Sequence, residues 1–173
     1  MVRISILIKQ NMVNKMELYI RNVNIQDFDK INNLFWQSDC LHYNNEPYIY
    51  EKTNEGSRTK EYIESLLNDK TNIFIVLEKE KEIIGFLLAH EEKKGHLPFH
   101  KKRKFIVIDN IVIDENYRNN GYGEILLNYS IEYAKKEKYN DIVLYVYKFN
   151  ENAIKLYEKK GFEVLTQDMI LKL

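Results

Sequence analysis

The amino-acid sequence predicts an α/β fold, a mixed and mostly antiparallel sheet of about seven strands with helices on both faces. Three observations carry this prediction. Strand-like apolar runs and stretches of 3.6-residue period follow one another in the order β α α β β β α β α β β. Two of the strands, 72–77 and 83–88, flank the charged turn EKEKE and read as an antiparallel hairpin. The helix opening near Gly121 is apolar on two faces, so it needs a sheet on one side and further cover on another.

Each element has its own warrant. Leu18-Tyr19-Ile20-Arg21-Asn22-Val23 reads as the first strand. Asn24 is placed as an N-cap, with Asp27 at the third helical position, for a helix in which Phe28, Ile31 and Phe35 share a face. Residues 39–56 show no period and read as a loop, after which Tyr62, Ile63, Leu66 and Leu67 mark a second helix. The hairpin supplies strands two and three, and a basic loop at 92–104 leads to a fourth strand, FIVIDNIVI, at 105–113. A long helix runs from Gly121 to about Lys138. Ile142 to Tyr147 is β-branched and aromatic and reads as a central fifth strand. A short helix over about 151–160 ends at Gly161, and residues 162–166 and 168–173 are expected to close the chain as a hairpin.

Composition narrows the function. With 26 basic and 26 acidic residues in 173, no net charge points to nucleic acid or to an anionic membrane. Cys40 is the single cysteine, which excludes an intrachain disulfide and a clustered thiolate metal site. His42, His90, His96 and His100 lack ligand spacing, so no metal is expected. Residues 1–15 read as an N-terminal extension without a functional signature or a signal-peptide pattern, and 16–173 as one domain. No apolar run approaches a membrane span, and a cytoplasmic location is the expectation.

The chemistry-bearing stretch is RNNGYG, residues 118–123, where the fourth strand gives way to the long helix. Two glycines at a helix start let backbone N–H groups crowd a ligand, and the helix end adds unpaired donors and a positive dipole. Arg118 adds a charge-assisted contact to the same anion. A dinucleotide fold needs a third glycine and an acidic residue at the end of the next strand. Leu126 and the early position of Asp141 argue against it.

The element order, with R-x-x-G-x-G opening the helix after the fourth strand, resembles the GNAT superfamily of acyl-CoA-dependent N-acetyltransferases. A second segment strengthens the likeness. Asn150-Glu151-Asn152-Ala153-Ile154-Lys155-Leu156-Tyr157-Glu158-Lys159-Lys160-Gly161-Phe162 is similar to that family's N-x-x-A-x-x-L-Y-E-x-x-G-F stretch. The resemblance implies acetyl-CoA as cofactor, an amine acceptor, splayed fourth and fifth strands, and direct acyl transfer. It implies that Ile111, Val112 and Ile113 hold the pantetheine arm by backbone groups. It implies that Asn119, Asn120, Gly121, Tyr122, Gly123 and Glu124 cradle the pyrophosphate. Asn150 would hydrogen-bond the cofactor beside Ala153, and Tyr157 would return a proton to the departing thiolate. A backbone N–H near Val112 would meet the oxyanion.

The acceptor side is less specified. Asp109 is expected as a base acting through water or as an anchor for a cationic amine. Tyr145 stands where some protein-acetylating relatives carry a glutamate. Trp36, Tyr43 and Glu46, with Asp39, Tyr48 and Tyr50 nearby, form a candidate aromatic and acidic site for an ammonium group. A small polyamine-like or aminoglycoside-like amine is therefore favoured over a protein N-terminus or lysine. A non-catalytic acyl-CoA-binding module is the rival of another class. A monomer and a homodimer are both compatible with the sequence.

Overall fold

The structure is a computed structural model that describes residues 4–6 (backbone only), 17–54, 56, 58–95 and 97–173. His96 and most of the expected N-terminal extension lie outside the described residues. The described strands form one six-stranded sheet in chain order: β1 (Ile4–Ile6), β2 (Leu18–Asn22), β3 (Asn72–Lys79), β4 (Glu82–Lys94), β5 (Arg103–Ile113) and β6 (Asp141–Leu144). All neighbours are antiparallel except β5 and β6, which are parallel. A parallel pair needs a long crossover, and α3 (Tyr122–Lys136) supplies it.

Helices cover both faces, as the period analysis requires. α1 (Phe28–Asn45) and α2 (Lys60–Asn68) bury Ile31, Leu34, Phe35 and Ile63 against Phe74, Val76, Phe86, Leu88 and Val112. On the other face α3 buries Leu126, Leu127 and Ala134 against Ile75, Leu77, Leu87, Ile106 and Ile108. α4 (Glu151–Lys159) lays Leu156 and Tyr157 against the same cluster. Alternation along β3, β4 and β5 sends successive side chains to opposite layers, which is why these strands read as nearly continuous apolar runs.

Three expectations are corrected. Residues 39–45 are not loop but the last two turns of α1, which ends where the Glu46 N–H donates to the His42 carbonyl. The missing period there reflects a helix end that leaves the sheet and presents polar and aromatic residues to a different surface. The strand near 142–147 is short, because its pairing with β5 stops at Leu144, and it is last in the order of the described strands rather than central. The terminal hairpin is absent among the described residues, so the sheet has six strands and not about seven. Only Gln167 separates the two expected strands, fewer than the two residues a tight hairpin needs, and no residue beyond Gly161 has a positive φ.

Candidate active site

The site begins with a gap in the sheet. β6 pairs with β5 from Phe105 to Ile108 and then stops, while β5 continues through Asp109 to Ile113 with β4 as its sole strand partner among the described residues. The cause is a bulge. Leu88 faces Asn110 and Ala89 faces Ile108, so Asp109 is an extra residue that bends β5 away from β6. One backbone edge of Ile111, Val112 and Ile113 is thereby left for an extended ligand to pair with. Behind that edge the strands lock closely. A Cβ on Gly85 would lie 2.6 Å from the Val112 carbonyl oxygen and from Ile113 Cδ1.

β5 leads into a turn built for an anion. Asp114 caps the 3-10 turn Glu115–Tyr117 by accepting from the Asn116 N–H, and Lys30 of α1 donates to it at 2.6 Å. Burial alone would push the Asp114 carboxyl up, but the bonds from Lys30 and Asn116 outweigh it and hold the group below its ordinary value. Asn119 and Gly121 both take positive φ, 63° and 79°, turning the chain so that α3 starts at Tyr122 with Gly121 as an N-cap that offers its first N–H groups no side-chain bond. A Cβ on Gly121 would meet nothing within 4 Å, so the turn opens outward. Asn120 donates to the carbonyls of Tyr117 and Arg118 and shapes the loop from inside. Those orphan donors at the positive end of a helix fit a diphosphate.

The side chains around the loop act mainly as scaffold. Arg118 was expected to meet the anion, yet its Nε donates to the Ile113 carbonyl at 3.0 Å and its guanidinium lies 3.5 Å from Gln37 Oε1. Glu124 pairs with Lys160 at 2.6 Å and Lys159 at 3.5 Å, tying the start of α3 to the end of α4. Tyr122 is buried in the core. The loop thus offers its backbone donors without interference from these side chains.

α4 faces the same opening. Asn150 is its N-cap and accepts from the Ala153 N–H through Oδ1, which leaves the Nδ2 donors to reach a ligand. Tyr157 stands two turns on, its ring 5.8 Å from that of Phe162. Burial lifts the Tyr157 phenol above its ordinary value of 10.0, so it carries its proton at neutral pH.

On the face toward α1 the bulge aims Asp109 at a partner that the sequence reading missed. His90 of β4 brings Nδ1 to 2.8 Å from Asp109 Oδ2, and Glu92 lies 3.9 Å from its Nε2. The signal was a histidine continuing the Phe86-Leu88 face, but the bulge that pairs it with Asp109 is set across two strands. The acceptor loop is rearranged as well. Asp39 is held by Arg58 in a two-pronged ion pair at 2.7 and 2.9 Å, and Trp36 donates to the Thr53 carbonyl. Tyr43 is half-buried on α1, and Glu46 ends that helix. The aromatic focus lies one residue away, where His42, Tyr50, Tyr147 and Phe149 pack with ring centroids 5.2 to 5.8 Å apart. Tyr50 and Tyr147 share a 2.7 Å hydrogen bond. Burial, then this bond and the nearby carboxylates, push the Tyr50 phenol up to about 12.

The basic loop belongs to another end of the molecule. Lys93, Lys94, Arg103 and Lys104 pair with Glu91, Glu92 and Asp141. At about 3.3 Å per residue, β5 separates them from the glycine turn by roughly 30 Å.

Known proteins share this arrangement. The model of the acetyltransferase (GNAT) family matches residues 29–162. The uncharacterized N-acetyltransferase MJ1207 of Methanocaldococcus jannaschii is 30% identical over 144 residues, 83% of this chain and 60% of that protein. The uncharacterized N-acetyltransferase YycN of Bacillus subtilis is 32% identical over 84 residues, 49% of this chain and 50% of that one. The aligned parts thus span 60% and 50% of the lengths of these two relatives. Among solved structures, a tetramutant of the BH1408 protein from Bacillus halodurans aligns with a TM-score of 0.83 at 27% identity, covering 89% of this chain and 99% of that chain. With a family match over most of its length and a fold shared with solved relatives, the chain belongs to the GNAT family of acetyltransferases.

Proposed function

We propose that the chain is an N-acetyltransferase that moves an acetyl group from acetyl-CoA directly to a primary amine, the acceptor being a small polyamine-like or aminoglycoside-like molecule. The observation that carries this reading is the continuous path from the unpaired edge of Ile111–Ile113 into the uncapped start of α3. An extended arm with amide groups fits the first part and a diphosphate fits the second. Acetyl-CoA, when bound, supplies an acetyl group already activated as a thioester. The chain's own residues do the rest. The backbone edge of β5 orients the arm, and an N–H near Val112 donates to the carbonyl oxygen as charge builds there. Tyr157, kept neutral by burial, returns a proton to the sulfur.

The amine must lose a proton before it attacks, and the Asp109–His90 pair is placed to take it. With Nδ1–H donated to Asp109, Nε2 is the ring nitrogen left to accept, and the Glu92 carboxylate lies 3.9 Å from it. The His42, Tyr50, Tyr147 and Phe149 cluster, with Glu46 at its edge, gives an ammonium group aromatic faces and one carboxylate.

The test combines binding and turnover. Acetyl-CoA should raise the melting temperature, and an amine panel should release free thiol with small diamines or aminoglycosides among the responders. Tyr157→Phe should keep the thermal shift and lose about 100-fold in kcat. A thermal shift with no thiol release on any amine would identify a binding module and end the enzymatic reading.

A further inference from the structure

The zero net charge of the chain conceals a segregation of its charges. Residues 93–104, KKGHLPFHKKRK, hold six of the 26 basic residues and no carboxylate, which leaves 20 basic against 26 acidic residues elsewhere. The register of the β4–β5 hairpin makes this concentration costly. Lys93 stands opposite Lys104 and Lys94 opposite Arg103, two successive cross-strand pairs of like charge. Like charges directly opposite one another destabilise a sheet, and a local conflict of this kind persists where something other than the fold depends on it.

The geometry gathers the cations instead of spreading them. Gly95 has a φ of 126°, and a Cβ there would lie 2.6 Å from Lys102 Cα, so the chain pinches together at a point that only glycine permits. Lys94 Nζ and Arg103 Cζ share the Phe105 ring, 5.4 and 4.8 Å from its centroid, and Lys104 Nζ lies 4.3 Å from that of Tyr139. The Oδ1 of Asn140 accepts from the Lys104 N–H at 2.8 Å, which leaves its Nδ2 to donate. Lys93, Lys94, Lys102, Arg103, Lys104 and Asn140 line one cleft of about 430 Å³, and no described carboxylate lines it with them. Three carboxylates, Glu91, Glu92 and Asp141, pair with four of the six cations. Lys101 and Lys102 have no ion pair among the described residues.

We propose that this cleft is a second anion site, apart from the α3 turn, for a small molecule that carries adjacent phosphate groups, as nucleoside polyphosphates and inorganic polyphosphate do. Its side chains offer donors and positive charge, so the ligand must be an anion rich in acceptor oxygens, and several phosphates match several cations. The volume is that of a site for one small molecule. A nucleic acid would run on from the cleft along a chain in which acidic residues outnumber basic ones, so a polymer is the poorer fit. Bound phosphate would also relieve the repulsion between the facing cations.

Titration of the full chain with tripolyphosphate, and in parallel with ATP, should show micromolar binding that weakens steeply as salt is added. Tighter binding of ATP would assign the ligand as a nucleotide, and tighter binding of tripolyphosphate as inorganic polyphosphate. In heteronuclear NMR the shifts should centre on the amides of Lys93, Lys94 and Lys102 to Lys104 and on the Asn140 side chain. Lys94→Gln with Arg103→Gln should raise the Kd for the tighter probe about tenfold or more, with the circular dichroism of the folded chain unchanged. Shifts confined to 118–124, or a double variant that binds as tightly as the parent, would overturn the proposal. So would a short single-stranded RNA that binds here and is displaced by neither small probe, because the surface would then serve a polymer.

Discussion

In the proposed reaction, the proton lost by the amine is handled by two side chains from adjacent strands. Asp109 accepts from His90 Nδ1 at 2.8 Å and so holds the imidazole ring and the tautomer with the proton on Nδ1. His90→Ala is expected to lower kcat/KM by about 100-fold and Asp109→Asn to lower it by less. The Kd for acetyl-CoA should be unchanged in both. Full turnover in His90→Ala would refute the role. Asp109 could be singled out from the strand in which it sits. Its partner could not, because a bulge is a property of two strands in register and leaves no trace in either one alone.

At the scale of the element, the two glycines of the α3 turn serve different ends. Gly121 is required by the backbone, whose φ of 79° would cost another residue about 1 kcal/mol or more. Gly123 is required by neither backbone nor packing. Its φ is not positive, and a Cβ there would meet only Ile113 at 3.9 Å and Leu156 at 4.0 Å. What remains is the ligand. Gly123→Ala should therefore leave the protein equally stable or raise its stability by about 0.5–1 kcal/mol in thermal unfolding. Its Kd for acetyl-CoA should rise at least tenfold by calorimetry. Unchanged affinity would show that nothing approaches this backbone. Such a turn was legible in the sequence because its chemistry is local: glycines, a helix start and a preceding apolar strand. The end of α1 and the C-terminal segment were misread for the opposite reason. Residues 39–45 are helical through contacts with distant Arg58, Tyr147 and Phe149, and 163–173 have strand composition without a strand partner among the described residues.

Across the whole molecule, the sheet's two ends are held by different forces. The end near the glycine turn combines close packing at Gly85 with the Lys30–Asp114 pair, while the far end of β4 and β5 is held mainly by charge. Glu91 is the hub there, accepting from Lys104 at 2.8 Å, from Lys93 at 3.0 Å and from the Tyr139 hydroxyl at 2.8 Å. Lys104 first, then Lys93 and Tyr139, hold the Glu91 carboxyl down to about 2 from its ordinary 4.5. A depressed carboxyl stabilises the folded state above the unfolded value and loses that contribution as pH falls through the folded one. The window is therefore pH 4.5 down to about 2. Tyr139 gives the alkaline counterpart. Burial and the bond to Glu91 push its phenol up to about 12 from 10.0, so its contribution is complete below pH 10.0 and fades toward 12. Urea unfolding followed over pH should show both losses, and Glu91→Gln should flatten the acid one while lowering stability at neutral pH. An acid limb of the same steepness in Glu91→Gln would move the source of acid unfolding elsewhere, first to Asp114, whose buried carboxylate Lys30 holds below its ordinary value.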